Sequence, residues 1–315
     1  MSGGFYRSLL TIIIGAVVHT LKLFMETIAV LGLGRMGQGI AFRLIQKGYR
    51  VYVWNRSRAK AAALLDAGAA WAESPAAAAQ YATVIFAMVA DDAASEAVWL
   101  GADGALSHMS VGSFVIECST LSAGHVKRLA ATAVKHGLTY IDCPVTGLPE
   151  AAAAGRLTLL IGAEQEDLER VGTVLKSISS AIRHFGPVGT GTAYKLIINL
   201  MGAIQIAALA EGLAQAERLG LNREVVIAAI ENSAAASPQV VRHARGMAER
   251  SFSDHPAFTL GLRLKDATYG VSLANSVGSP ARLGEVAAAW FAIACETDAN
   301  RDEAAVINVI CEIGS

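Results

Sequence analysis

The sequence predicts a two-part chain, an α/β domain followed by an all-helical one. Three observations carry this. Strand-like and helix-like stretches alternate from Met25, a glycine-rich turn joins the first strand to the first helix, and the strand pattern stops after Gly186-Pro187. Repeated βαβ units imply a parallel sheet with helices on both faces, and Gly-Pro is a turn signal. The 315 residues, 53% hydrophobic, suffice for two ordinary cores.

The elements follow in order. Thr27–Leu31 is a short apolar strand, and Met36–Lys47 reads as a helix closed by Gly48. Tyr49–Trp54 is a second strand, and the alanine-rich run Ala59–Ala67 a second helix. Val84–Val89, Phe114–Glu117 and Thr139–Asp142 continue the strands, with Leu157–Gly162 and Ile182–Phe185 as further candidates. Beyond the Gly-Pro turn, residues 190–219 read as one helix ended by Gly220, about 45 Å long at 1.5 Å per residue. More helices start near Asn222, Pro238, Thr259 and Pro280. The expected domains are therefore 25–187 and 188–315.

Composition removes several function classes. A net charge of -1 argues against nucleic acid as the main partner. The cysteines (Cys118, Cys143, Cys295, Cys311) form no CxxC pair, and the histidines form no HxxxH pair. Reduced thiols, a cytoplasmic setting and no metal site are expected. Residues 1–24 differ from the rest, but the apolar run Leu9–Val18 is too short to span a bilayer. They read as a leader or misassigned start, and no membrane partner is expected.

Within VLGLGRMGQGI, Gly32, Gly34 and Gly37 have the GxGxxG spacing between a strand and a helix. That context fits a dinucleotide pyrophosphate: a tight turn, close backbone approach, and N–H groups at a helix N-terminus. Leu33, Arg35 and Met36 complete the turn and are expected to meet the cofactor too. The second strand ends in Asn55, Arg56, Ser57 and Arg58, where an NAD-binding domain usually carries a carboxylate for the ribose. An arginine there can hold a 2′-phosphate with paired donors, so NADP is favoured over NAD.

In GTGTAYKLIINL, Lys195 and Asn199 share one helix face at i and i+4. Turns this apolar bury most of their sides, and a buried lysine needs a partner or a task.

Four stretches together, VLGLGRMG, IDCPVTGLPEAAAAGRLTLLIGA, GTGTAYKLIIN and LRLKDATYG, resemble the signatures of the β-hydroxyacid dehydrogenase family. Its members include 3-hydroxyisobutyrate dehydrogenase, tartronate semialdehyde reductase and the glyoxylate/succinic semialdehyde reductases. The resemblance runs from about Met25 to the end, with GADGAL and DEAAVI adding to it. It implies a Rossmann-type domain followed by a helical one, Lys195 as the catalytic residue and Asn199 as a substrate holder. Chemically, a lysine with a pKa lowered by burial can protonate the alkoxide formed by hydride transfer. The resemblance also places Thr146-Gly147 in a loop for the substrate carboxylate, and Thr120 near the nicotinamide. It puts Lys265, Met88 and Val89 against cofactor or substrate.

The departures are Leu148 for a second loop glycine and Glu117 for an aspartate. A leucine would resist φ > 0 if the position requires it. The reading is an NADPH-dependent reductase of a short aldehyde- or keto-acid, reversible as a 3- or 4-hydroxyacid dehydrogenase. The Asn-Arg-Ser tripeptide leans toward the glyoxylate/succinic semialdehyde reductases. The rivals are a related imine reductase, against which Lys195 argues, and a non-catalytic cofactor-binding module. The long helix carries apolar residues on more faces than one core needs, so a homodimer or homotetramer is expected.

Overall fold

The structure, a computed structural model, describes residues 26–312. The leader expected over residues 1–24 lies outside them. The chain divides into two compact units. Among the described residues the first holds 26–119 and His125–Gly191, the second Thr120–Gly124 and 192–312.

The strands are β1 (Thr27–Leu31), β2 (Arg50–Trp54), β3 (Ala70–Trp71), β4 (Val84–Ala87), β5 (Phe114–Glu117), β6 (Thr139–Asp142), β7 (Val145–Thr146), β8 (Leu157–Gly162) and β9 (Ser179–Gly186). Between them come α1 (Arg35–Gln46), α2 (Ala62–Asp66), α3 (Pro75–Ala79), α4 (Asp92–Leu100), α5 (Ala123–Lys135), α6 (Pro149–Ala153) and α7 (Gln165–Ile178). They form one sheet in the order β3-β2-β1-β4-β5-β6-β8-β7, with β9 paired to β8.

From β3 to β6 every pairing is parallel. β8 then runs antiparallel to both β6 and β7. The sheet is mixed, a correction to the wholly parallel one expected. Parallel pairing needs a crossover of a dozen or more residues, and the link Gly147–Arg156 between β7 and β8 is shorter than that. β1 lies near the middle and buries Ile28, Ala29, Val30 and Leu31 completely, as a parallel strand covered on both faces should. Ile40, Ala41 and Leu44 of α1 and Val174, Leu175 and Ile178 of α7 close the same core.

The second unit is helical: α8 (Thr190–Arg218), α9 (Arg223–Glu231), α10 (Pro238–Glu249), α11 (Leu260–Ser276), α12 (Arg282–Asp298) and α13 (Val306–Glu312), with a 3₁₀ turn at Glu303–Ala305. Side chains of Asn222, Ser237 and Thr259 cap α9, α10 and α11 by accepting from Val225, Val240 and Leu262 N–H. α8 is long and apolar enough to cross a membrane by length and composition. Its Ala203, Ile206, Ala210 and Leu213 instead share a buried cluster with Ala267, Phe291 and Ile307. The spacing of those four residues is that of one helix face. Tyr194, Ile197 and Met201 of α8 stay exposed.

Candidate active site

Each glycine of the first turn has its own geometric reason. Gly32 adopts φ +95°, and a Cβ there would collide with the Met88 carbonyl oxygen. A Cβ on Gly37 would collide with the carbonyl oxygen of Gly32, so the helix sits against the turn only without one. A Cβ on Gly34 would meet nothing within 4 Å, which leaves room on that side for a ligand. No side chain caps the start of α1, and its first turn carries no acidic residue. Uncapped N–H groups at a positive helix end suit a pyrophosphate. The residues present therefore fit a dinucleotide.

Asn55 does more locally than expected. Its Oδ1 accepts from Leu33 N–H at 2.9 Å and its Nδ2 donates to the Ser57 carbonyl. It braces the glycine turn against the loop after β2. Arg56 and Ser57 are exposed, and Arg56 makes no hydrogen bond or ion pair with any described residue. Arg58 is engaged, 3.7 Å from Glu73 and lying over the Trp71 ring. Met88 and Val89 follow directly on β4, and Val89 N–H donates to Ser119 Oγ at 2.8 Å.

Behind that contact stands Glu117, buried at the end of β5. It accepts from Ser95 Oγ, Trp99 Nε1 and Ser119 N–H. Burial pushes its carboxyl above the usual range. The glutamate thus holds the strand end on which Ser119 and Val89 depend. Beside it the Cys118 and Cys143 thiols are buried, and their contact with one another and burial raise Cys118 well above its ordinary value. Both are packing groups.

Thr146 closes β7, and Gly147 takes φ +133°. Leu148 adopts φ -95°, ordinary extended backbone, ahead of Pro149 in α6. The feared conflict at Leu148 does not arise; its side chain is 45% exposed and makes the loop apolar.

The second unit brings Lys195, Asn199, Lys265 and Thr120 into one constellation. It rests on a close helix approach: a Cβ on Gly270 of α11 would stand 3.0 Å from Leu200 Cβ and 3.2 Å from the Leu196 carbonyl of α8. Asn199 Nδ2 donates to the buried Asp266 carboxylate. That fixes the amide, since only its nitrogen end can face a carboxylate, and Oδ1 is left as an acceptor. Lys265 Nζ lies 3.0 Å from Asp266 and donates to the Thr120 carbonyl. Solvent reaches part of the Lys195 side chain. Loss of hydration nevertheless dominates its ammonium and lowers its pKa to about 8; Asp266 opposes that effect, and Arg263 and Lys265 reinforce it. Such a group exchanges a proton near neutral pH.

Asp266 joins this constellation and is not among the site residues expected from the sequence. Its signal was present: a charged pair inside the apolar helix LGLRLKDATYGV. On that helix the buried residues are Leu260, Arg263, Asp266, Ala267 and Gly270.

Comparison with known proteins agrees with these features. Residues 27–186 match the family model described as the NAD binding domain of 6-phosphogluconate dehydrogenase. Residues 189–310 match that described as NAD-binding of NADP-dependent 3-hydroxyisobutyrate dehydrogenase. A probable mitochondrial 3-hydroxyisobutyrate dehydrogenase of Dictyostelium discoideum is 31% identical over 83% of this chain and 83% of its own. An NAD-dependent L-serine dehydrogenase of Pseudomonas aeruginosa is 30% identical over 85% of this chain and 91% of its own. The solved 3-hydroxyisobutyrate dehydrogenase of Mycobacterium tuberculosis, with L-serine, superposes with a TM-score of 0.82 at 28% identity, covering 91% of this chain and 99% of that one. The chain belongs to the β-hydroxyacid dehydrogenase family: it is a hydroxyacid dehydrogenase-like oxidoreductase that uses a nicotinamide dinucleotide.

Proposed function

We propose that this oxidoreductase is an NADPH-dependent reductase of a short aldehyde- or keto-acid, reversible as a 3- or 4-hydroxyacid dehydrogenase, with Lys195 as general acid and base. One observation carries the reading: an ammonium with a pKa of about 8 stands one helical turn from an asparagine whose amide is locked by a carboxylate. The bound dinucleotide supplies the hydride. As the carbonyl carbon accepts it, Lys195 donates a proton to the carbonyl oxygen and becomes a neutral amine, which solvent reprotonates. In the oxidative direction the amine takes that proton back. Asn199 Oδ1 accepts from the substrate hydroxyl or the ammonium and keeps the two in line. Thr146 and the Gly147 backbone suit a carboxylate.

Preference for NADPH rests on Arg56, exposed and unengaged, in a loop without a carboxylate. The exposed stripe Tyr194, Ile197 and Met201 supports self-association.

The test is a matrix of NADPH and NADH against glyoxylate, succinic semialdehyde, tartronate semialdehyde, methylmalonate semialdehyde and a cyclic imine. 3-Hydroxyisobutyrate and L-serine serve for the reverse reaction. Turnover of a semialdehyde or keto-acid that disappears in Lys195→Ala sustains the reading. Turnover of the imine alone, indifferent to Lys195, sinks it.

A further inference from the structure

Behind Asn199 lies a buried charged chain that the proton transfer itself does not use. Arg263, 4% exposed, donates from Nε to Glu303 Oε2 at 2.6 Å and from Nη1 to the Asn199 carbonyl at 2.9 Å. The other carboxylate oxygen of Glu303 lies 3.2 Å from Nε2 of buried His243. Phe258 covers the guanidinium at 4.6 Å. The 3₁₀ turn bearing Glu303 is pinned in turn: Glu303 N–H donates to the Phe258 carbonyl, and Leu260 N–H to that of Arg301.

A buried ion pair is a poor way to gain stability, because dehydrating both charges cancels most of the attraction. Apolar residues of similar volume would hold α11 to the turn equally well. What they could not do is donate to a helix carbonyl, and the rigid guanidinium fixes where that donor points. Arg263 and Asp266 stand one turn apart on α11 and take Asn199 at two points, its carbonyl and its side-chain amide. Gly202, one turn beyond Asn199, leaves the space: a Cβ there would stand 3.2 Å from Arg263 Nη1 and 3.1 Å from Gln239 Nε2.

We propose that Arg263, held by Glu303, is a positioning residue that fixes the rotation of α8 at Asn199 and so aims the Lys195–Asn199 pair. The catalytic role of that pair is the reading given above, on which this proposal rests. The positive charge of Arg263 also acts on Lys195, together with Asp266 and Lys265 of the same helix, while Glu303 and His243 stand behind it.

Two variants of the full-length protein test it: Arg263→Met combined with Glu303→Gln, which replaces the ion pair by an apolar and a neutral group, and Gly202→Ala, which keeps every charge but crowds the guanidinium. Three quantities are read: the melting temperature, kcat and KM across pH, and the pH midpoint for methylation of Lys195 by formaldehyde and borohydride, located by peptide mass. The double variant should melt close to wild type with kcat about ten- to hundredfold lower, the scale of a misaimed catalytic group. Cofactor KM should stay unchanged, and the Lys195 midpoint should rise because the positive charge of Arg263, which lowers it, is gone. Gly202→Ala should lower kcat several-fold and move the midpoint the same way. Wild-type kcat and midpoint in a folded double variant would overturn the proposal, as they would in Gly202→Ala alone if the double variant does not fold. The methylation midpoint needs no turnover. An active Lys195→Ala would remove the functional reading, and the grip of Arg263 would still be read separately.

Discussion

In the turn Gly32–Gly37 the backbone itself forms the site, and side chains matter by being absent. On the α8 face at Lys195–Asn199 the site is made of side chains, and each is held by another from elsewhere in the unit. The first region needs a left-handed Gly32 and a close contact between Gly37 and the Gly32 carbonyl. The second needs Asp266 and Arg263, 67 and 64 residues from Asn199, and Glu303, a further 40 residues beyond Arg263. A backbone cradle is local and leaves little to tune beyond its fit to phosphate. A side-chain constellation can be tuned: burial lowers the pKa of Lys195, Asp266 opposes that shift, and Arg263 and Lys265 reinforce it.

Breaking the tuned region should have the largest effect. Lys195→Ala is expected to cut carbonyl reduction about 10²–10⁴-fold, the usual loss for general acid catalysis, with melting temperature and cofactor binding nearly unchanged. In wild type, reduction needs the ammonium. Its kcat should hold below about pH 8 and fall above it, while oxidation should rise through the same pH. Limbs that stay in place when Lys195 is replaced would assign the proton to another group.

At the rim of the backbone-built region, Arg56 sharpens the contrast, being a side chain added to a main-chain site. A charge-assisted hydrogen bond is worth about 1.5–3 kcal/mol, which is roughly ten- to hundredfold in preference for NADPH. Arg56→Asp should raise KM for NADPH by that factor and leave NADH little affected. A wild-type enzyme that prefers NADH would show that Arg56 points to solvent.

The smallest effects separate the glycines from one another. Gly37→Ala should cost about 1–3 kcal/mol of stability through overpacking. Gly34→Ala, in open space, should stay within about 0.5 kcal/mol yet weaken cofactor binding. Equal melting losses in the two variants would mean that the turn is only structural.

What could be read from the sequence follows the same division. GxGxxG between a strand and a helix is a local code, and β1 and α1 came out within a residue of expectation. Lys195 and Asn199 were legible because helical periodicity puts them on one face. The residues that tune them were not, because nothing local marks which distant carboxylate or guanidinium will arrive. β3 and β7, two residues each, are too short to carry an alternation, and the reversal into β8 depends on a link length that periodicity does not report. Asn55 was placed correctly at the end of β2, but its amide serves the Leu33 backbone, a contact set by how two loops meet.

The length and apolar character of α8 have a consequence during synthesis. The residues that cover its core face, among them Phe291, Val306 and Ile307, come after it in the chain. At roughly 5–20 residues per second, α8 leaves the ribosome on the order of 5–20 seconds before the last of them. Until the last of them arrives, a segment long and apolar enough to enter a bilayer lacks part of its intramolecular cover on that face. The nascent chain at this stage exposes apolar surface of α8 that the finished fold buries.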